Sequence, residues 1–387
     1  MPDEPLFTPR FFVMCGFTFT VFLSAFQLLP TAPFEILARG GSTFASGLFL
    51  GFLTYASAFS APLTGAFSDR AGQRRILITT SLALALFSLA YAVVPGYRLM
   101  LGLVLVHGVF WSGLLSASAA YLTNSIPANR RGEGIAYWGL SSVAAIAVAP
   151  VIGFWVYRLG WTTLCVESAG LNLLMAAIGL QLPEQPVIET PPRGRHVEWR
   201  VLALAMTLFL YSFGYGGITS FTALYADANG VRPKGIYLTV LSVVILVTRP
   251  LSGRLGDRLG HQRVLLPCLA LIAVGLGCLC FGGTLKWQIA SAVIFGAGFG
   301  TAYPVFVAYV MQHIAPGRRG AAFGSILAAF DTGIGTGSTL MGAIIGSYGF
   351  AAAFGTAAAL SALSVPYFVL TERLVGRPTT TQSAHPA

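Results

Sequence analysis

Twelve long apolar runs fill most of this chain and constrain its fold more than any other feature. A helix needs about 20 apolar residues to cross the hydrocarbon core of a bilayer. Only 9% of the residues are charged, whereas a soluble domain is about a quarter charged. The sequence therefore predicts an all-α membrane protein with twelve transmembrane helices and the lipid bilayer as its surroundings.

The predicted spans are separated by short polar turns. Pro30 and Pro33 are predicted to end the first span, because proline lacks the N–H group that continues a helix. In chain order the predicted spans are Phe11–Leu29, Phe44–Phe67, Ile76–Val94, Leu99–Leu122, Ile135–Tyr157, Thr162–Leu182, Val201–Tyr225, Ile236–Leu255, Val264–Phe281, Trp287–Met311, Ala321–Ser347 and Ala351–Leu370.

A charged motif after the second span recurs after the eighth at a constant offset of 188 residues. A plain positively charged loop would need only the arginines, so the repeated acid and glycines favour a functional motif. A second motif, Arg130-Arg131-Gly132, recurs at the same offset as Arg318-Arg319-Gly320. The members of the first motif are Gly65, Asp69, Arg70, Gly72 and Arg75, and their counterparts are Gly253, Asp257, Arg258, Gly260 and Arg263.

Two motifs in one order at one spacing indicate a duplicated half. We therefore predict two pseudo-symmetric six-helix bundles, residues 1–182 and residues 201–387, the second ending in a short polar tail. Residues 183–200 form the longest polar stretch between spans and are rich in proline, as is typical of a linker.

The basic residues predict the orientation in the membrane. Sixteen of the 23 lysines and arginines fall on the side of both termini when twelve spans are drawn. Because basic loops stay in the cytoplasm, we predict both termini to be cytoplasmic and the chain to lie in the inner membrane. The net charge of +10 is spread over these short loops, which argues against nucleic-acid binding. The five cysteines lie in apolar runs without metal-ligand spacing, so no metal site and no cofactor are predicted.

The repeated motif carries a resemblance to a known family. Gly65-x3-Asp69-Arg70-x-Gly72-x-Arg74-Arg75 resembles the signature loop between helices 2 and 3 of the major facilitator superfamily, and the copy at Gly253 is similar to the loop between helices 8 and 9. The resemblance covers Arg10 to Glu372 and implies a secondary transporter that works as a monomer by alternating access. It also implies that Asp69 and its arginines hold helix 2 against the start of helix 11 in the outward-facing state.

Three further stretches resemble proton-coupled drug and sugar efflux antiporters. Ala149-Pro150-x2-Gly153 is similar to the antiporter signature, although Ala149 and Phe154 replace two of its glycines. Arg249-Pro250-Leu251 and Phe330-Asp331-x-Gly333 are similar to stretches of efflux members. Arg249 and Pro150 are therefore candidates for conformational roles, and an ordinary helix kink at Pro150 is the alternative.

Ionisable side chains within a span are costly and are candidates for function. Asp331, His107 and Glu167 are the candidate proton-coupling residues. Burial favours the neutral form of a carboxyl group, so Asp331 can bind and release a proton, with a structural hydrogen bond as the alternative. For His107 the alternative is a neutral, hydrogen-bonded side chain, and for Glu167 it is a side chain that reaches water. Arg249 is expected to pair with an acid or to extend to the membrane surface.

The resemblance implies that helices 1, 4, 7 and 10 line a central cavity. The polar and aromatic residues of those helices give the substrate-site candidates Gln27, His107, Trp111, Tyr211, Tyr215 and Tyr303. Core packing is the alternative for each aromatic member. Such a weakly charged aromatic cavity suits a small amphipathic organic substrate.

The sequence favours proton-driven efflux of a small organic compound, with protons as the coupling ion. A uniporter or importer of a small metabolite is the alternative, followed by a membrane receptor that does not transport its ligand. No nucleophile motif or metal-ligand cluster indicates an enzyme.

Overall fold

The computed structural model describes residues 5–127, 130–185, 199–314 and 319–375, and within these ranges the chain forms eleven α-helices and no strand. The helices are α1 (Pro9–Ala38), α2 (Thr43–Ala71), α3 (Gln73–Val93), α4 (Tyr97–Ser125), α5 (Arg131–Tyr157), α6 (Trp161–Gln181), α7 (Trp199–Ala228), α8 (Ile236–Leu259), α9 (His261–Phe281), α10 (Leu285–His313) and α11 (Arg319–Val375). The all-α prediction is confirmed for these ranges.

The last helix contains two of the predicted spans. α11 is 57 residues long, and its only non-helical backbone lies at Gly349, with φ of 81° and ψ of 176°. The predicted spans Ala321–Ser347 and Ala351–Leu370 lie on either side of this residue. The structure thus has eleven continuous helical elements in its described ranges, where the sequence predicts twelve.

Ten of the helices among the described residues contain a segment long and apolar enough to cross a membrane. α8 adds a shorter apolar segment, Ile236–Ser252. The chain is therefore a multi-pass membrane protein.

The predicted end of the first span is wrong. α1 continues through Pro30 and Pro33 to Ala38. The Thr31 hydroxyl donates to the Gln27 carbonyl at 2.7 Å, and the Ser46 hydroxyl of α2 donates to the Pro33 carbonyl at 3.3 Å. Membrane helices tolerate prolines where hydroxyl side chains and neighbouring helices support the local backbone, and α1 extends beyond both prolines.

The helices pack in two sets with contacts between them. In the first set α2 packs on α4, α1 on α5, and α3 on α6; in the second, α7 packs on α11 and α10 on α8 and α9. The two sets meet where α2 contacts α11, α5 contacts α8 and α1 contacts α7. The helices in contact across the boundary between the sets thus include α1, α2, α5, α7, α8 and α11.

The two sets make close contacts at one end of the bundle. We call the end with the α2–α3 and α8–α9 turns the signature end, and the opposite end, with the α1–α2 and α7–α8 turns, the far end. At the far end the Ser338 hydroxyl of α11 donates to the Gly47 carbonyl of α2 at 2.8 Å. Lys234 Nζ lies 4.5 Å from the centre of the Phe34 ring, which joins the α7–α8 turn to α1. These contacts close the far end.

The signature end is more open where α2 and α11 run towards it. A Cβ atom at Gly65 of α2 or Gly324 of α11 would meet no atom within 4 Å. Phe67 of α2 is 62% exposed. The helices α2 and α11, which touch at the far end, thus have free space beside Gly65 and Gly324 at the signature end.

Candidate functional site

Aromatic rings from α7, α10 and α11 form a cluster near the middle of the second helix set. Tyr215 stacks on Phe299 with ring centres 4.5 Å apart, and Tyr303 lies 5.0 Å from Phe330. Tyr211 touches both phenylalanines, at 5.9 and 6.4 Å. Tyr211 is fully buried, whereas Tyr215 and Tyr303 are partly accessible. The structure thus brings together three predicted cavity residues of α7 and α10.

Small residues allow these helices to approach closely. The Ser212 hydroxyl of α7 donates to the Phe330 carbonyl of α11 at 3.0 Å. A side chain at Gly333 or Gly337 would overlap the backbone of α7 at Phe209 or Phe213. The glycines around Asp331 therefore fix that residue beside the aromatic cluster.

Asp331 is partly accessible in this position. Tyr303 lies within electrostatic range of the Asp331 carboxylate and of the Arg249 guanidinium. The carboxylate makes no ion pair and no side-chain hydrogen bond with any described residue. The structural hydrogen bond considered as its alternative role is thus absent from the described contacts, and its role in proton binding stays a prediction.

Arg249 of α8 lies at the boundary between the two helix sets. A Cβ atom at Gly139 of α5 would lie 3.9 Å from Arg249 Cζ and Nη1. Tyr215 and Tyr303 are both within electrostatic range of the guanidinium, which is partly accessible. Within the described ranges the guanidinium has no carboxylate partner. Arg249 is therefore a cation beside the aromatic cluster, facing the opposite helix set.

The first helix set contributes another pair of aromatic rings. Phe22 of α1 and Trp111 of α4 make an edge-to-face contact with ring centres 6.0 Å apart, and both are partly accessible. The sequence predicts that Trp111 lines the cavity from α4. Its placement beside α1 agrees with such a position.

Gln27 and Glu167 form a polar pair between α1 and α6, in which Gln27 is buried and Glu167 is partly accessible. Gln27 Nε2 donates to Glu167 Oε1 at 3.0 Å. The remaining oxygens, Gln27 Oε1 and Glu167 Oε2, are buried and have no hydrogen-bond partner among the described residues. Gly153 of α5 packs directly on the Gln27 backbone. Glu167 thus binds a neighbouring helix.

His107 lies within the packing of α3 and α4. Its Nδ1 and the Tyr91 hydroxyl are hydrogen-bonded at 2.9 Å, and its ring stacks on Phe87 with an interplanar angle of 6°. The Tyr91 carbonyl in turn accepts a hydrogen bond from Trp161 at 2.9 Å. This environment favours the structural alternative for His107.

The signature motif surrounds two tight turns. Gly72 and Gly260 have φ of 91° and 87°, a conformation that favours glycine, and each joins two helices. Arg74 donates to the Leu180 carbonyl at 2.8 Å, and Arg74 and Arg75 lie 3.6 and 3.8 Å from the Glu184 carboxylate. The arginines of the motif thus attach the α2–α3 turn to the end of α6.

The remaining members of the motif have different surroundings. Asp69 is partly accessible and makes no ion pair with the described residues, while Arg70 and Arg258 are exposed. Arg263 contributes to an apolar groove between α8, α9 and α10 of about 320 Å³. The surroundings of Gly253 and of the Asp257 side chain are outside the described part of the protein. The same holds for residues 186–198 of the predicted linker.

Sequence reasoning missed several contributors to these sites. Phe299 and Phe330 connect the tyrosines, yet they cannot be told from ordinary apolar residues in the sequence. Lys234 bridges Asp227 at 2.9 Å and the Phe34 ring. The clustering of Asp227, Arg232 and Lys234 around one short turn was the available signal for this contact.

Comparisons with known proteins agree on one family. The family model of the Major Facilitator Superfamily matches residues 11–245 and 204–386. The uncharacterized MFS-type transporter YhhS of Escherichia coli (strain K12) is 26% identical over 352 residues, covering 88% of this chain and 85% of that protein. YhhS of Salmonella typhi is 27% identical over 352 residues, covering 88% and 86%.

Solved structures share the fold at low sequence identity. A peptide transporter POT in complex with sulfate superposes with a TM-score of 0.80 at 13% identity, covering 97% of each chain. The nucleoside transporter NupG superposes with a TM-score of 0.73 at 16% identity, covering 96% of this chain and 100% of that chain.

Proposed function

This chain belongs to the Major Facilitator Superfamily, whose members are transporters and not enzymes, and from that premise we propose that it is a proton-coupled secondary transporter of a small organic compound. The observation that carries the proposal is Asp331. It is an acidic side chain inside a membrane helix, partly accessible and without an ion pair or a side-chain hydrogen bond among the described residues. An acid in such a position is a candidate for reversible proton binding.

The proposed transport site is the region between the two helix sets. Tyr215, Tyr303 and Arg249 border it from the second set, and Phe22 and Trp111 from the first. Aromatic walls suit a substrate with an apolar body. Gln27, His107 and Tyr211 are buried, so in this proposal they support the walls and do not contact substrate in this conformation.

We propose that the helices form two six-helix halves, residues 1–182 and 201–387, with α11 supplying two spans around Gly349 and residues 183–200 as a cytoplasmic linker. The halves rock about the central site in alternating access. The far end is closed by Ser338 and Lys234 in the present conformation, and the signature motif acts at the other end. We propose a monomer in the inner membrane with both termini in the cytoplasm.

Efflux by proton exchange is the direction favoured by the resemblance of the Pro150 and Asp331 stretches to efflux transporters. Import is a second candidate, because Arg249 and Asp331 both lie near Tyr303. An acid and a cation in one cavity allow a proton and a negatively charged substrate to bind together, which is the requirement for symport.

The test is proton movement in proteoliposomes that contain a pH-sensitive dye. A panel of drugs, sugars, organic acids and metabolites is added at an imposed pH gradient. A substrate that dissipates the gradient supports proton coupling, and the sign of the dye response distinguishes exchange from symport. Substrate flux without proton movement would contradict proton coupling.

The Asp331→Asn variant tests whether Asp331 is the residue that binds the coupling proton. We expect this variant to lose transport that is driven by a pH gradient. It should retain substrate flux that is driven by a gradient of the substrate itself. Glu133→Gln is the matched control, because Glu133 is exposed and pairs with Arg130 at 2.9 Å outside the cavity. Unchanged pH dependence in Asp331→Asn would exclude Asp331 as the coupling residue.

A further inference from the structure

The Arg249 guanidinium has a charge that the described part of the protein does not neutralise. An unpaired charge away from bulk water is costly, and such residues in membrane helices mark ligand pathways. Asp227, Glu35, Glu133 and Glu184 each pair with other basic residues. Asp331 makes no ion pair within the described ranges. Within the described ranges Arg249 is thus a cation at the boundary between the helix sets that has no ion pair, unlike Lys234, which pairs with Asp227.

We propose that Arg249 is the recognition residue for an organic monoanion, a carboxylate attached to an aromatic or apolar body. The inference rests on the proposed transport site and names the substrate class of that site. A guanidinium offers paired N–H donors in a plane that matches the two oxygens of a carboxylate. Tyr215 and Tyr303 both lie within electrostatic range of the guanidinium, and in this proposal they contact the part of the ligand next to the carboxylate.

The surroundings of Arg249 indicate how many negative charges the ligand carries. Phe299 and Phe330 support the two tyrosines from behind, through ring contacts at 4.5 and 5.0 Å. Asp331 and Arg249 both lie within electrostatic range of Tyr303, so the ionised Asp331 carboxylate would repel a second negative charge on the ligand. A single carboxylate with an apolar body therefore fits the site better than a dicarboxylate or a phosphate ester.

Gly139 of α5 faces Arg249 from the opposite helix set. The Cβ of an added side chain would lie 3.9 Å from Arg249 Cζ and Nη1, in ordinary van der Waals contact. A small side chain at this position therefore fits without a clash. A carboxylate placed at residue 139 would reach the guanidinium and compete with the ligand for it.

The experiment measures binding by equilibrium dialysis of the purified full-length protein in lipid nanodiscs. The probe is radiolabelled 2-naphthoate, and 2-naphthamide and 2-naphthylmethylammonium are its neutral and cationic analogues. We expect naphthoate to bind at least tenfold more tightly than either analogue. Arg249→Gln is expected to weaken naphthoate binding by about tenfold or more, the loss typical of a hydrogen bond to a charged group, and to leave naphthamide binding unchanged.

Gly139→Asp provides a second test that leaves Arg249 in place. We expect it to weaken naphthoate binding by about tenfold or more, as Arg249→Gln does. Gly139→Asn and Gly139→Ala are the matched controls, because they add similar or smaller volume without charge, and both are expected to remain within about threefold of the native protein. Circular dichroism and size-exclusion profiles verify the fold of each variant.

Equal binding of the three probes, absence of naphthoate binding, or equal effects of Gly139→Asp and Gly139→Asn would overturn the inference. Binding is measured without a pH gradient and without transport. Charge-selective binding without proton movement in proteoliposomes would therefore contradict only the proposed function. Proton-coupled transport of neutral or cationic substrates alone would contradict only the role of Arg249.

Discussion

We propose that Asp331 binds the coupling proton and Arg249 the ligand, and both residues lie within electrostatic range of one tyrosine, Tyr303. Such an arrangement would link proton binding to ligand binding. A charged Asp331 repels a nearby anion, and its protonation removes that repulsion. Binding of the proton and of the anion must then strengthen each other by the same factor. If the substrate is an anion, the cavity favours symport, and the proton gradient would drive import. If it is a cation, the same acid would favour exchange, and hence efflux.

The pH dependence of naphthoate binding tests this linkage. We expect affinity for 2-naphthoate to rise about tenfold as pH falls from about 8 to about 5.5, within the range of coupling between linked sites. Tyr303 lies within electrostatic range of Asp331 and of Arg249, and tyrosine and arginine titrate at about pH 10 or above. The rise would therefore report on Asp331. Equilibrium dialysis at constant ionic strength provides the measurement.

Asp331→Asn is neutral at every pH, so it should bind naphthoate tightly with little dependence on pH. A naphthalenesulfonate probe, which stays ionised throughout, controls for titration of the ligand. If native affinity instead fell as pH decreased, proton and anion would compete, and the linkage between Asp331 and the anion would be wrong.

At the scale of helices, the apolar pattern predicts well which helices exist and in what order they follow. It predicts less well the residues at which they end. Eleven helices lie where the sequence predicts spans, and the exceptions arise from contacts that the linear pattern does not show. α1 passes Pro30 and Pro33, and Ser46 of another helix donates to the Pro33 carbonyl there; membrane helices tolerate prolines that neighbouring helices support. α11 contains two predicted spans because a single glycine, Gly349, turns the chain without a polar loop.

The residues of the candidate site likewise fall into those that the sequence identifies and those that it does not. Charge within an apolar helix identifies Asp331 and Arg249, because an ionisable residue there is expensive wherever it packs. The sequence places both His107 and Trp111 in the cavity because both lie on α4. In the structure His107 packs against α3, whereas Trp111, four residues later, packs beside α1. Residues four apart share a helix face, so the difference lies in which neighbour each side chain meets one turn apart along α4, and tertiary packing decides that. For the same reason Phe299 and Phe330 could not be singled out from the other phenylalanines.

The packing of α3 on α4 gives a prediction for His107. Tyr91→Phe removes the hydroxyl that binds His107 Nδ1 and leaves the ring in place. We expect a loss of about 1 kcal/mol in stability, the usual value for a buried hydrogen bond, with unchanged transport. Thermal denaturation followed by size-exclusion chromatography measures the loss, which corresponds to roughly 2 °C for a chain of this size.

Tyr348→Phe is the matched control, since Tyr348 is 79% exposed, and its melting temperature should equal that of the native protein. Transport that fails or changes its pH dependence in Tyr91→Phe, at native stability, would restore His107 as a candidate for proton coupling.

At the scale of the whole molecule, alternating access requires the far-end contacts to separate. These contacts are specific: Ser338 binds the Gly47 carbonyl, and the Tyr55 hydroxyl meets Thr336 at 2.8 Å. Glycines on both helices bring α2 and α11 close enough to make them. Because packed interfaces are bistable rather than continuously deformable, the far end should be either closed, as here, or open, with the signature end closed in its place.

A disulfide across α2 and α11 tests that motion. A Cβ atom at Gly346 would lie 2.8 Å from Thr43 Oγ1, which puts the two Cβ atoms within roughly 4 Å, as a disulfide requires. In a protein whose five cysteines are replaced by serine or alanine, Thr43→Cys with Gly346→Cys should cross-link under mild oxidation. Transport should then stop and return on reduction, because the far end can no longer open. Each single variant should transport normally with or without oxidant. Cross-linked protein that still transports would show that the substrate does not pass between α2 and α11 at the far end, and failure to cross-link would contradict the closed contact itself.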